Sequence, residues 1–554
     1  MRHTILRHAI ALDLVVIATG LVLLEPQVPA SAIVAVYSVA VLIAAWLGGR
    51  TAGTTATIAT LIVFGFLLEP AVATEHYVFF AAAGALLTLA VPAWRERGLD
   101  AAAVAPPPPA RPRPPVPRWV EYALPVVLLM VYCDLSEVLI VAFGLPSLLQ
   151  PLVVGLMFAI WLYRDALQPQ RVLLHPVTLA LTMYCAMLFI TTAWADDLAL
   201  ADLRITRTSK AYFVYLVIAI LASASWRSVR IALKTLGLAA AGLAGLSILQ
   251  IAAGIHNEFG GLASLVHANI YEQELDTRAA GPVGDPNFYG QMLVMVIPLA
   301  LYLAYTSREK WQRLIWIGAA LTIMGGVLVS YSRGAMLALA VMTGLVLVSL
   351  RVPLTRVAMA TAVAATVLLL LPGNIGNRFR TMLTLIPQET YYVPVDASFE
   401  RRKLIAATGL HIFERNALIG VGAGNFATHY IEYARDIGSS AELFYRQGES
   451  DQPHSLYLET ASETGLLGLS VFFTLLGVSY AQLRRTRRIL LRGQARRDEL
   501  IVLALTVALL AYLVTSIFLH GATHRYLFTI FAFITAVSSV AADEELRRPE
   551  PAAA

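Results

Sequence analysis

The chain has 554 residues, 58% of them hydrophobic and 14% charged, with a mean hydropathy of +0.69. Soluble domains carry about 25% charged and about 45–50% apolar residues, so this composition excludes an ordinary soluble enzyme and a disordered chain, and points to a polytopic membrane protein. The formal charge of +5, from 41 Lys and Arg against 36 Asp and Glu, reads as the basic excess of cytoplasmic loops and not as a nucleic-acid footprint.

A spanning helix needs about 20 mostly apolar residues, with a range of about 17–25. Such runs lie near 9–24, 32–48, 54–70 and 76–93. They resume near 119–142, 147–163, 174–193, 207–223, 232–253, 287–306, 314–331, 334–350, 357–371, 464–481, 500–519 and 526–541. The expected fold class is all-α: a polytopic transmembrane helical bundle of about 16 spans, four plus twelve. The start of the chain also resembles a secretory leader, with Arg2, Arg7, an apolar run and Val28-Pro29-Ala30. The run from Ala9 to Leu24 is long for a leader and many spans follow, so an uncleaved first helix is expected. Cys133 and Cys185 both sit in apolar stretches and offer neither a disulfide framework nor metal-ligand spacing.

Lys/Arg asymmetry sets the orientation. With the N-terminus in the cytoplasm, about 27 basic residues fall inside and about 14 outside, in the direction the rule predicts. The run Arg484-Arg485-Thr486-Arg487-Arg488 is the strongest inside anchor. Residues 98–118 break the apolar pattern. Pro106-Pro107-Pro108-Pro109-Ala110-Arg111-Pro112-Arg113-Pro114-Pro115 cannot form a helix and is expected as polyproline II, about 3.1 Å per residue, a stiff cytoplasmic spacer. It divides a four-helix membrane module at 1–97 from a main body at 119–541, with a cytoplasmic tail at 542–554. The small module, with Ala44 to Arg50 and Phe66 to Pro70, resembles in composition the four-helix membrane module of some bacterial sensor kinases, and no chemistry is assigned to it.

Three outer segments are richer than hairpins need. The first, roughly 254–286, ends in Thr277-Arg278-Ala279-Ala280-Gly281-Pro282-Val283-Gly284-Asp285-Pro286-Asn287. Asp285 or Asn287 can cap the helix that follows. Arg278 is either part of a capped membrane re-entry or an anion ligand beside a helix N-terminus, since guanidinium forks and helix N-termini both favour phosphate oxygens. The second is the short turn Tyr331-Ser332-Arg333-Gly334, where Arg333 stands on the face that the positive-inside rule disfavours. The third, 372–463, is the only soluble-sized piece, and loops of that length are usually functional.

In the third loop, Glu400 to Phe413 has apolar residues at helical spacing and reads as an amphipathic helix. Asn416 to Phe426 holds a Gly-rich turn that lacks the Gly-Lys-Ser/Thr of a nucleotide loop. Pro453-His454-Ser455-Leu456-Tyr457-Leu458-Glu459 then leads into the next span. His454 can titrate near neutrality and take a proton from a hydroxyl. His411, His429, His520 and His524 lack a comparable setting and are read as structural.

These residues together resemble the O-antigen ligase and O-antigen polymerase superfamily. The resemblance rests on an ordered set: Arg278, Gly281 and Asp285-Pro286-Asn287; Ser332-Arg333-Gly334; Asn416 to Phe426; and Pro453 to Glu459 with Gly465-Leu466-Leu467-Gly468. It covers roughly 119–541. It implies a GT-C-like membrane glycosyltransferase of the bacterial inner membrane with a periplasmic active face. The implied donor is a glycan on undecaprenyl diphosphate, and the implied reaction is inverting, metal-independent and free of cofactors. Two Arg and one His are the family's functional set and match Arg278, Arg333 and His454 here, as catalytic residues. Asn287, Arg402 and Glu459 are the expected substrate-binding residues. Glu459 alternatively fixes the His or caps its helix, and Arg401 with Arg402 alternatively forms a solvated face. The implied partners are a glycan or lipid A core acceptor, the membrane, and other glycan-assembly proteins such as a chain-length regulator, with no nucleic acid. The N-terminal module and Pro-rich linker are extra to a typical ligase, and the long outer loop leaves polymerase open. A protein O-oligosaccharyltransferase shares the site chemistry. A transporter or flippase of lipid-linked glycans is a different class. It predicts ionisable residues at mid-membrane, where Asp13, Asp134 and Glu137 are the candidates. A sensor is suggested only by the small module.

Overall fold

The computed structural model describes residues 114–268, 276–349, 397–436, 452–493, 496–521 and 524–547, with isolated positions at 15, 41, 56, 57, 60, 353 and 355. The module expected over 1–97, most of the linker, the span near 357–371, the loop stretches 372–396 and 437–451, and the last residues of the tail lie outside the described residues.

The described chain is helical throughout its main body. A bent pair, α1 (Val120–Tyr132) and α2 (Leu135–Phe143), leads to α3 (Leu149–Leu162) and two short turns, then to α4 (Pro176–Ile190), α5 (Leu198–Ala222) and α6 (Trp226–Ala253). A small hairpin, β1 (Ser264–Ala268) and β2 (Asp276–Gly281), precedes α7 (Pro286–Val294), α8 (Ile297–Thr306), α9 (Lys310–Val329) and α10 (Arg333–Ser349). The outer-loop helices are α11 (Ala397–Arg415) and α12 (Phe426–Asp436), and the chain returns through α13 (Leu456–Arg492), α14 (Arg496–Thr515) and α15 (His524–Arg547). Among the described residues, eight helices are long and apolar enough to cross a membrane, or nine if α1 and α2 form one span. The fold is therefore an all-α polytopic bundle.

The burial pattern orders the helices. The α7–α8 window is 89% buried and that of α15 83%, whereas that of α9 is 33% and that of α13 28%. A helix apolar and buried all round belongs at the centre of a bundle, so α5, α7–α8 and α15 form the core and α9 and α13 face outward. Within this apolar centre, hydroxyls pair with each other. Tyr215 on α5 joins Thr178 on α4 at 2.6 Å and Thr535 on α15 at 3.0 Å, and Thr486 on α13 donates to Ser538 on α15 at 2.9 Å. Where water is absent, such pairs satisfy groups that otherwise carry a desolvation penalty.

Four expectations change. The single span near 119–142 is two helices bent by 69°, with Asp134 left-handed at the break (φ +50°) and ion-paired with Arg525 at 2.8 Å. An ionised carboxylate in an apolar run is stable only when paired, and the bend lets Asp134 meet its cation. The first outer loop, whose Gly and Pro residues mark an irregular entry to the next helix, contains the antiparallel β1–β2 pair, with Val266 opposite Arg278. Helix α5 begins at Leu198, well before 207, capped by the Asp197 carboxylate, which accepts from the Ala199 and Leu200 amides at 2.9 and 3.0 Å. Helix α13 likewise begins at Leu456, before 464. In both helices, charged residues depress local hydropathy where the helix in fact continues.

Candidate active site

Three turns and a helix N-terminus meet at one end of the bundle. Asp285 caps α7, its carboxylate accepting from the Asn287 and Phe288 amides at 2.7 and 3.1 Å. That settles which of the two candidate residues caps the helix, and it leaves the Asn287 side chain for another partner. The partner is Arg278 on β2, whose Nη2 donates to Asn287 Oδ1 at 3.4 Å. The same guanidinium donates from Nε to the Ser330 carbonyl at 3.1 Å and from Nη2 to the Tyr331 carbonyl at 3.4 Å. Ser330 and Tyr331 open the turn that carries Arg333. These three acceptors are neutral oxygens that fix the direction of the fork.

The turn is tight. Ser330 and Ser332 are buried, and the Ser332 hydroxyl accepts from the Ala335 amide at 3.3 Å, capping α10, whose first residue is Arg333. Helix α7 approaches closely. A Cβ on Gly290 would stand 2.6 Å from Ala335 Cβ and 3.1 Å from both Ser330 Oγ and Ser332 Cβ, so only glycine admits this packing. Phe518, from the connection between α14 and α15, covers Gly334.

His454 enters from the loop before α13. Ser455 is the N-cap, and the Leu456 amide donates to the Ser516 carbonyl at 3.0 Å, which ties the α13 start to the α14–α15 connection. The ring of His454 meets that of His520 edge-on at 5.8 Å, and His520 meets Phe288 at 5.1 Å. Phe288 follows Asn287, so the first side chains of α7 face Arg278 and His520 respectively. Tyr331 (φ +50°) and His454 (φ +46°) are both left-handed without being glycine. Such conformations cost about 1–3 kcal/mol and cluster where function over-determines geometry. Both occur at the turns that present Arg333 and His454.

The sequence setting of His520 reads as structural, and the fold brings it alongside His454. Burial pushes its pKa below the ordinary 6.5, which favours the neutral ring. Its Nδ1 is buried and has no hydrogen-bond partner among the described residues. The only local sign in the sequence was a His-Gly pair after an apolar run, which does not reveal a neighbour 66 positions away.

Glu459 is 1% exposed, and its carboxylate is already engaged. Oε1 is ion-paired with Arg204 Nη2 at 2.9 Å, and Oε2 accepts from the Gly521 amide at 2.5 Å. Arg204 therefore belongs to the surroundings of the site, although the sequence did not single it out. Glu463, 3% exposed, lies in the same charge cluster and accepts from the Gly424 and Phe426 amides, the latter being the first residue of α12.

The Gly-rich turn is a strap, not a ligand loop. The Val421 and Gly422 amides donate to the Ser462 and Glu463 carbonyls at 3.0 and 2.9 Å, and the Leu466 amide donates to the Ala417 carbonyl at 2.7 Å. Helix α13 is broken at Gly465 (φ +63°) where the strap crosses. On the strap's other side, Asn425 accepts from the Asp197 amide at 2.6 Å and donates to its carbonyl at 3.1 Å. A Cβ on Gly422 (φ +96°) would stand 2.8 Å from Ala195 Cα, so this crossing has room for glycine alone. The expected amphipathic helix is α11, whose Ile405 and Ile412 join Val421, Phe426, Tyr430 and Ala434 in a small separate core. Arg402 lies on α11 two turns before Gly409, which packs on Leu458. His411 and His429 belong to the loop helices, His429 standing 3.2 Å from Asp196. Among the described residues, no three His, Cys, Asp or Glu side chains are grouped as a metal ion needs.

Residues 318–473 match the family model described as O-antigen ligase. The match takes in the Arg333 turn, the strap, His454 and Glu459, and leaves Arg278, Asn287 and His520 outside it. A search of curated proteins returns no match.

Proposed function

We propose, from the match of residues 318–473 to the O-antigen ligase family model, that the protein is a membrane glycosyltransferase of the O-antigen ligase and polymerase superfamily. It moves a glycan from an undecaprenyl-diphosphate carrier to an acceptor hydroxyl at the periplasmic face of the inner membrane. One observation carries the reading. Arg278, held by Asn287 and the Ser330–Tyr331 carbonyls, and His454, packed on His520, meet through the first residues of α7.

The chemistry follows from those positions. The acceptor oxygen attacks the anomeric carbon from the face opposite the diphosphate, so the configuration inverts. The bond from that carbon to the diphosphate oxygen breaks, and the electron pair leaves with the diphosphate. His454 takes the hydroxyl proton, a role typically worth about 10²–10⁴ in rate. Negative charge grows on the leaving oxygen, where Arg278 and Arg333 supply fixed positive charge. Asn287 orients Arg278. Glu459 with Arg204 fixes the start of α13 and, through Gly521, the segment carrying His520. No cofactor takes part.

The test is direct. His454→Ala, Arg278→Ala and Arg333→Ala are expressed separately in a deletion strain, and surface glycan is examined by gel. Loss of long-chain glycan at normal protein level is the expected outcome; normal glycan in all three sinks the reading. A lipid A core sugar, another lipid-linked repeat and a protein hydroxyl are the competing acceptors. Purified protein given one lipid-linked oligosaccharide and each acceptor in turn distinguishes them.

A further inference from the structure

At the other end of the bundle, between the start of α4 and the last turns of α13 and α15, lies a cavity of about 400 Å³. Helix α13 passes from Gly465 at the His454 end to Arg485 at this one. Twenty residues at 1.5 Å each span about 30 Å, the thickness of a bilayer's hydrocarbon core. The cavity therefore stands at the opposite headgroup level, the side where the sequence concentrates its Lys and Arg.

Its lining mixes charged and hydroxyl side chains with apolar ones such as Ile489 and Leu546. Arg485 is exposed at the mouth. Arg171 is ion-paired with Asp543, so among the described residues the carboxylate that lines the cavity is already matched by a cation, and Arg485 adds positive charge. His175 is buried, and its Nδ1 accepts from the Val177 amide at 3.3 Å. Burial and the nearby Arg485 push its pKa down to about 4. A neutral imidazole that accepts at Nδ1 carries its proton on Nε2 and donates there. The Ser539 hydroxyl lines the same space, buried and without a hydrogen-bond partner among the described residues. Leu546, 83% exposed, forms the rim.

A cationic mouth, neutral donors behind it and an apolar edge at headgroup depth match an amphiphile with a phosphate head. Basic pockets between spans at the cytoplasmic surface are where anionic headgroups dock. We propose that this cavity binds a phosphate-bearing anion, supplied by the headgroup of an anionic phospholipid with its acyl chains along Leu546. Arg485 and Ser539 are its ligands, and it is independent of the glycosyltransferase reading.

The experiment uses the purified full chain in detergent with short-chain phosphatidylglycerol, short-chain phosphatidylcholine and inorganic phosphate, binding being followed by thermophoresis. Phosphatidylglycerol is expected to bind at least about tenfold more tightly than phosphatidylcholine. Arg485→Gln is expected to weaken phosphatidylglycerol about tenfold, and Arg488→Gln, outside the cavity, less than about twofold. Ser539→Val should weaken it without changing the charge. An unchanged thermal midpoint in each variant reports an intact fold. Equal binding of the two lipids, or equal losses in Arg485→Gln and Arg488→Gln, overturns the proposal. Phosphate competing with phosphatidylglycerol supports the anion site. Phosphate binding that depends on Arg485, with no lipid binding, overturns the phospholipid as the source and leaves a soluble anion.

Discussion

Two arginines near the same end of the bundle are held in opposite ways. Arg204 is locked between carboxylates, with Glu459 at 2.9 Å and Glu463 in the same buried group. Arg278 is oriented by two backbone carbonyls and an amide oxygen. In the first case the cation's charge is spent on its partners, and what it yields is a fixed junction between α5, α13 and the segment carrying His520. In the second the neutral acceptors set the direction of the guanidinium, and under the proposed function that direction serves an anion. The difference separates a brace between carboxylates from an arginine aimed by neutral oxygens, although both residues are arginines in sequences with no obvious distinction.

The comparison can be broken most sharply at the brace. Arg204→Ala strands Glu459 and Glu463, and removing one partner of a buried pair costs about 3–5 kcal/mol. Thermal unfolding in detergent should show a large loss, with activity falling only in proportion to folded protein. If Arg204→Ala unfolds no more readily than Arg278→Ala, the distinction between the two fails. Arg278→Ala should do the reverse: a rate loss of about 10²–10³ from one missing charge-stabilising donor, with a nearly unchanged midpoint. Arg278→Lys should restore little, because an ammonium cannot span Ser330, Tyr331 and Asn287 as a fork does. Turnover of a lipid-linked donor by purified protein is the measurement.

The strap supplies a middle-sized effect. Gly422→Ala forces a Cβ toward Ala195 at φ +96°, a strain of about 1–3 kcal/mol. The midpoint should fall by less than in Arg204→Ala, and limited proteolysis should cut first near the strap.

The effect of pH has a definite sign. His520 has a folded pKa below the ordinary 6.5, so on acidification the unfolded chain takes up its proton first. Its contribution to stability is complete above about 6.5 and is lost as pH falls below it, with a limiting slope of about 1.4 kcal/mol per unit for one proton. His520→Gln should flatten that part of the stability profile and leave the Arg204 brace in place. A profile identical to that of the parent protein removes His520 from the titrating groups. The smallest effect belongs to Arg402→Ala. A groove contact on α11 should raise the donor KM by about two- to fivefold, the range of an exposed pair, with kcat unchanged. No change in KM makes that face a solvated one.

Much of the fold was legible because membrane spans announce themselves by run length alone. Eight of the twelve runs expected in the main body coincide with helices of crossing length. The errors fell where charge interrupts hydropathy. Asp134 divides α1 from α2, and Asp202, Arg204 and Arg207 hid the first turns of α5. Hydropathy treats each charge as a penalty, whereas a paired charge in a helix extends it. The Gly-rich turn lacks a nucleotide-loop signature in the sequence, and what its glycines serve shows only when Ala195, Ser462 and Glu463 are seen against its backbone.

By itself the sequence determined that the protein is a helical bundle in a membrane, and that Arg278, Arg333 and His454 occur in a recognisable order. Those facts depend on composition and local spacing, which a chain carries unfolded. Only the tertiary structure decided that Arg278 is aimed by the Ser330–Tyr331 turn, that Glu459 is held by Arg204, and that His520 stands beside His454. Each of these joins residues more than fifty positions apart, and what selects them is the low dielectric of a packed interior. There a charge or a polar atom must find a partner across the bundle, and no local pattern records which one.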